Sequence, residues 1–172
     1  MTPRWLADDA PLRIGVSACL LGREVRHDGG HKRDRFLSDV LGSYVEWVPV
    51  CPEVEVGMGV PRPSIRLEQR ADGVHLIEPR AGRDHTRAMA QYAAQRTREL
   101  ERLELCGYVL KKDSPSCGME RVKLWQPRGP ATRTGRGLFA AALLERFGTL
   151  PVEEEGRLCD AALRENFGAR IF

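Results

Sequence analysis

Residues 12–18 read LRIGVSA, and Cys19 follows them directly. A short apolar run of this kind predicts a strand buried on both faces. Two further stretches repeat the arrangement. Residues 45–50 (VEWVPV) predict a second strand, weakened by Pro49, and Cys51 follows it. Residues 107–110 (GYVL) predict a third, with Lys112 as its furthest extent. Beyond it runs Asp113-Ser114-Pro115-Ser116-Cys117-Gly118, a turn-rich loop.

Helical patterns separate these strands. Residues 32–42 carry Phe36, Leu37, Val40 and Leu41 at helical spacing. A long helix over 86–104 follows an Asp84 N-cap and has a stripe of Met89, Tyr92, Ala93, Leu100 and Leu103. Residues 136–147 and 157–167 predict two more helices, with the acids Glu153–Glu155 favouring the start of the last one. Residues 65–67 and 74–77, joined through Asp72-Gly73, predict a hairpin. Residues 122–125 and 150–152 predict short strands, and 22–30 and 52–63 predict loops. Strands alternating with helices predict an α/β fold: a small, mostly parallel, Rossmann-like sheet flanked by helices, with a hairpin insertion. A single domain is expected over residues 1–172, with residues 1–11 as a flexible N-terminus.

Composition agrees. A chain of 172 residues, 42% hydrophobic and 30% charged, suits one domain with its own core. Its longest apolar runs, such as 138–144, are far short of a bilayer span, so no membrane partner is expected. A net charge of +3 is too small to imply a nucleic-acid partner by itself. Asp8 and Asp9 stand where a secretory signal would be apolar, so a cytoplasmic location with reduced thiols is expected. Five widely spaced cysteines there are core residues, metal ligands or reactive groups rather than a disulfide framework.

Parallel strands end on one sheet edge, and ligands bind outside that edge. Cys19, Cys51 and Cys117 each lie at or after a predicted strand end, with 31 and 65 residues between them. Their glycine, proline and serine neighbours suit cysteines exposed in loops. Cys106 precedes its strand, and Cys159 lies beside Leu158 and Ala161, so both are assigned to the core. Three thiolates suit zinc or an iron–sulfur cluster. Structural zinc usually uses close C-x₂-C pairs, which are absent, and an electron-carrying [4Fe–4S] cluster normally has four cysteines. Three ligands leave one metal corner open to substrate, which points to catalysis over structure. His27, His31, His75 and His85 lack metal-ligand spacing, and no phosphate-binding loop or C-x-x-C pair occurs. Residues 121–136 hold five basic residues and no acid, which suits a phosphate or RNA contact or a solvated loop.

Several motifs occur together in order. They are Ser17-Ala18-Cys19-Leu20-Leu21-Gly22, Asp28-Gly29-Gly30, Val50-Cys51-Pro52-Glu53, Lys112-Asp113-Ser114-Pro115-Ser116-Cys117-Gly118, Gly137-Leu138-Phe139-Ala140 and Leu150-Pro151-Val152-Glu153-Glu154-Glu155-Gly156-Arg157-Leu158. In these the chain resembles the bacterial thiouracil desulfurase / thiouridine desulfidase family over about residues 13–172. The resemblance implies a [4Fe–4S] cluster held by three cysteines, here Cys19, Cys51 and Cys117. It implies removal of sulfur from a thiolated pyrimidine of the 2-thiouracil or 2- or 4-thiouridine type, giving the oxo compound and sulfide. A base, nucleoside or nucleotide would be the partner, with RNA as an open alternative. Glu53 and Ser114 map onto catalytic positions, and Ser17, Asp28, Lys112 and Ser116 are expected to contact substrate. Stretches 30–35 and 111–113 resemble most the members that carry a second, C-terminal domain, whereas this chain stops at Phe172.

The implied chemistry is consistent with the residue types. A thiocarbonyl sulfur is soft and would bind the open iron, which would polarise the C–S bond for attack by water. Glu53, two residues past a ligand, would take the proton from that water; alternatively it is a helix N-terminal charge or a solvated acid. Ser114 would hydrogen-bond the ring or relay a proton, or simply form a Ser-Pro turn. Lys111 and Lys112 would offset the cluster's charge or bind a phosphate. Asp28 and Asp84 are otherwise explained as a turn former and an N-cap. The competing functions are sulfur insertion into tRNA, disfavoured by the missing nucleotide loop, and a zinc-containing RNA-binding or interaction module.

Overall fold

In a computed structural model, which describes residues 11–172, the three apolar runs form β1 (Arg13–Ser17), β2 (Glu46–Val50) and β6 (Gly107–Leu110). The rest of the segment expected to be flexible, residues 1–10, lies outside the described residues. With β9 (Val152–Glu154) these strands make a four-stranded, wholly parallel sheet in the order β2-β1-β6-β9. Alternation along each strand sorts the two faces. Ile14, Val16 and Val109 face one cluster, closed by Leu158, Phe167 and Ile171. Val50, Tyr108 and Leu110 face the other, with Met89, Phe139 and Leu143. Gly15 has to be glycine, because a Cβ there would overlap the ring of Tyr108.

The expected hairpin is present as β3 (Arg66–Arg70) and β4 (Gly73–Glu78), with Leu67 opposite Leu76. It is more than an insertion. With β5 (Arg83–Asp84), β7 (Val122–Trp125) and β8 (Thr132–Gly135) it builds a second sheet in the order β5-β4-β3-β7-β8, antiparallel except for β3 with β7. Leu67, Leu76 and Leu124 send this sheet's inner face into the core shared with Leu110 and Phe139.

Among the described residues there are four α-helices: α1 (Pro52–Glu55), α2 (Thr86–Glu101), α3 (Leu138–Arg146) and α4 (Ala161–Ile171). Several expectations are corrected. Residues 52–55 are helical rather than loop, because Pro52 at the first position is preset for a helix start. The expected helix over 32–42 is a wide turn, Phe36–Val40, followed by a 3₁₀ turn, Leu41–Ser43. Helix α2 ends at Glu101 and has His85 at its N-cap; Asp84, one residue earlier, still accepts the Thr86 N–H at 2.8 Å. The last helix is split. A 3₁₀ turn spans Arg157–Cys159, and Asp160 then caps α4 by accepting the Leu163 N–H at 3.0 Å. Glu153 and Glu154 do not begin a helix but pair in β9 with Val109 and Leu110. Cys159 is exposed, not in the core, because its turn lies at the surface; Cys106 is half-buried against the Ile14 face. Among the described residues no helix is long and apolar enough to cross a membrane.

Glu154 is a buried carboxylate, 4% exposed, that accepts the Met119 N–H and leaves one oxygen without a partner among the described residues. Burial, reinforced by Glu155, raises its carboxyl to about 7. Between the ordinary carboxylate range and that value the folded chain holds a proton that the unfolded chain releases. Stability therefore falls as pH rises through this window. Glu154→Gln is expected to melt like wild type at about pH 4 and to be more stable by about 1–2 kcal/mol at about pH 8. Thermal melts at the two pH values check this; a less stable variant at the higher pH would overturn it.

Candidate active site

A cavity of about 520 Å³ opens at the carboxyl ends of β1, β2 and β6. Strand order reverses there, with β2 on one side of β1 and β6 on the other. Cys19, Cys51 and Cys117 all line it, with Glu53, Lys112 and Ser114.

Each cysteine is placed by a different local device. Cys19 lies in a 3₁₀ turn, Ala18–Leu21, that closes on Gly22 at φ 90°, a left-handed conformation natural to glycine. Cys51 stands between β2 and α1. Its N–H donates to Glu55 Oε2 at 2.8 Å, and Glu55 is ion-paired at 3.1 Å with Arg96 on α2. Cys117 is held most firmly. Ser114 Oγ accepts the N–H groups of Ser116 (3.2 Å) and Cys117 (3.0 Å). The first amides of α3 lack partners within the helix and donate to the same loop: Leu138 to the Pro115 carbonyl, and Phe139 and Ala140 to that of Ser116. This docking buries Cys117, where its loop neighbours predicted exposure.

Burial raises all three thiols, Cys19 to about 11. Lys111 opposes the rise at Cys19, and a hydrogen bond from Ser17 opposes it at Cys117. The thiols also repel one another as anions, so burial and this repulsion together favour the protonated forms. A soft cation would be needed to hold three thiolates here. Among the described residues no three His, Cys, Asp or Glu side chains converge as one metal ion requires. Three thiolates form a soft donor set of the kind that an iron–sulfur cluster takes.

Glu53 sits in the first turn of α1. Arg62 reaches its Oε2 through Nε (2.8 Å) and Nη2 (2.7 Å), and the Ser116 hydroxyl donates to Oε1 at 2.9 Å. Ser116 is fully buried and does not line the cavity. Asp28 does not line it either; its Oδ1 accepts the Gly30 N–H at 3.0 Å and forms the turn. Ser17 lines the cavity but is tied, since its Oγ accepts the Lys111 N–H at 2.9 Å. Glu155 binds Lys111 Nζ at 2.6 Å and the Lys112 N–H at 2.8 Å; Lys112 lines the cavity while its side chain passes over Gly156. The basic stretch 121–136 contributes nothing to the cavity wall. It forms β7 and β8, with Arg133 paired to Asp113. Sequence reasoning missed Arg62; the available signal was a lone arginine between two prolines, nine residues after Glu53.

The family model described as 2-thiouracil desulfurase matches residues 14–155. The chain belongs to this family. The match runs from β1 past β9 and includes every residue of the cavity wall described above. Among solved structures, the [4Fe-4S]-dependent thiouracil desulfidase TudS is similar to this thiouracil desulfurase family member. It covers 90% of this chain and 97% of its own, with a TM-score of 0.68 and 34% identity. An uncharacterized Bacillus subtilis protein, YbbK, is 29% identical over 146 residues, which is 82% of this chain and 95% of its own. Both the resemblance read from the motifs and the α/β fold with its mostly parallel sheet are thereby confirmed.

Proposed function

We propose that this chain holds a [4Fe–4S] cluster on Cys19, Cys51 and Cys117 and removes sulfur from a thiolated pyrimidine base, nucleoside or nucleotide. The overall change is a thiocarbonyl plus water giving a carbonyl plus hydrogen sulfide, with no net oxidation or reduction. The observation that carries this reading is that three thiols and an anchored carboxylate line one cavity at the carboxyl edge of the parallel sheet. When bound, such a cluster supplies a soft Lewis acid for the thiocarbonyl sulfur.

The chain's own residues do the rest. Glu53 accepts the proton of the water whose oxygen replaces sulfur, its carboxylate being held from both ends by Arg62 and Ser116. The amides of Ser116 and Cys117 fill the lone pairs of Ser114 Oγ, so its proton is left to donate to the ring. Lys112 at the wall attracts an anionic substrate group. Ser17 acts on Cys117 rather than on substrate, because its acceptor side is used by Lys111 and its proton by the thiolate.

The test is an iron and sulfide assay on anaerobically purified protein, joined to a screen of 2-thiouracil and thiouridines. Brown protein that releases sulfide supports the proposal; zinc without iron after anaerobic reconstitution overturns it. Glu53→Gln is expected to lower kcat by about 10²–10⁴-fold with iron content unchanged. Undiminished turnover would remove Glu53 from the mechanism.

A further inference from the structure

We infer that Arg62 is the positioning residue for Glu53, fixing the carboxylate in the cavity without binding substrate itself. This rests on the proposed role of Glu53. The Arg62 side chain is only 4% exposed, although it lies in a loop on the cavity wall. A guanidinium so buried must have its donors filled. Two are spent on one oxygen of Glu53, and Nη1 donates to the Gly59 carbonyl at 2.9 Å. Its backbone N–H donates to the His27 carbonyl at 2.9 Å. Arg62 therefore ties together α1, the loop that carries it and the loop after β1.

The other carboxylate oxygen is held by Ser116, on the loop that carries Cys117. One oxygen is thus fixed from each side, and the carboxylate cannot turn about its last bond without breaking a bond to a buried partner. Glu53 points where Arg62 and Ser116 set it. The charge of Arg62 is consumed in doing so, whereas among the described residues Lys32 and Lys112 on the same wall make no such pair. The prolines on either side of Arg62 restrict its backbone, so the anchor is itself stiff.

The test compares Arg62→Met, Arg62→Lys, Glu53→Gln and the double variant Glu53→Gln/Arg62→Met in the iron-loaded enzyme, with 2-thiouracil as substrate. Arg62→Met is expected to lower kcat by about 10–100-fold with KM little changed, as for supporting residues that orient a reacting group. Arg62→Lys keeps the charge but not the fork, so it recovers the melting temperature and only part of kcat. In the Glu53→Gln background the loss of Arg62 is expected to cost no further kcat, because the two act as a unit. Uracil binding, measured by equilibrium dialysis, should be unchanged in Arg62→Met. A raised KM with intact kcat, weaker uracil binding, or equal kcat losses in both backgrounds would each overturn the assignment. Should Arg62→Met fail to fold because a charge is stranded, Arg62→Lys with and without Glu53→Gln makes the same comparison. Full activity in Glu53→Gln alone would instead refute the role of Glu53, so the two failures are distinguishable.

Discussion

Cys51→Ala is expected to give a folded protein that binds no iron and desulfurises nothing above background. The thiol contributes little to the fold. Its contacts are weak: a 3.8 Å hydrogen bond to the Val25 carbonyl and the approach of the Glu53 and Val54 amides to the sulfur, and the residue is half-buried. The features that place the loop survive the change. The residue 51 N–H still reaches Glu55, Pro52 still opens α1, and Arg62 still holds Glu53. Losing one partly buried sulfur should alter stability by no more than about 1 kcal/mol. Burial also keeps the three thiols protonated, so two of them without the third are a poor trap for a soft metal. Cys106→Ala and Cys159→Ala should retain iron, since neither residue lines the cavity. Iron per chain, far-ultraviolet circular dichroism and sulfide release check the three variants together. Full iron in Cys51→Ala would exclude it as a ligand.

How much of this could be read before the structure depends on which force placed each residue. The parallel sheet was legible because its central strands β1 and β6 are buried on both faces and appear as short apolar runs. The strand-end rule then put Cys19 and Cys51 at the cavity directly. Cys117 was harder. It lies seven residues past Leu110, and it reaches the cavity because the amides at the start of α3 pull its loop down, a tertiary effect that leaves no periodicity. The same docking buries it against its polar neighbours' prediction. The second sheet was half visible. Leu67 and Leu76 flank a recognisable turn, but β8 reads TRTG and has no apolar side to betray it. Glu153 and Glu154 resemble a helix start in composition, and ladder pairing with β6 outweighs that local preference. Arg62 is the clearest loss. A buried arginine looks like any surface arginine in a sequence, and only its 2.7 Å contact with Glu53 distinguishes it.

The docking of that loop makes Gly137→Ala the second variant of large expected effect. Gly137 has φ −58° and ψ 142°, values that alanine adopts freely, so backbone strain plays no part. The obstacle is space. A Cβ there would overlap the Ser116 carbonyl group and stand 2.8 Å from the Cys117 nitrogen. Both neighbours are backbone and cannot swing aside as a side chain would. The loop or the start of α3 has to move, and either movement breaks the bonds from Phe139 and Ala140 to the Ser116 carbonyl. Overpacking at such a contact costs about 1–3 kcal/mol or more. The damage should also reach further than stability, because Ser116 and Cys117 are the displaced residues. Ser116 would lose its grip on Glu53, and Cys117 would leave the position it shares with the other two thiols. Gly137→Ala is therefore expected to melt earlier and to load iron poorly. Gly148→Ala, where an added methyl meets nothing within 4 Å, should do neither. Normal iron loading by a destabilised Gly137→Ala would show that the seat of Cys117 does not depend on α3. Parallel losses in melting temperature and iron would tie a glycine with no chemistry of its own to the metal site.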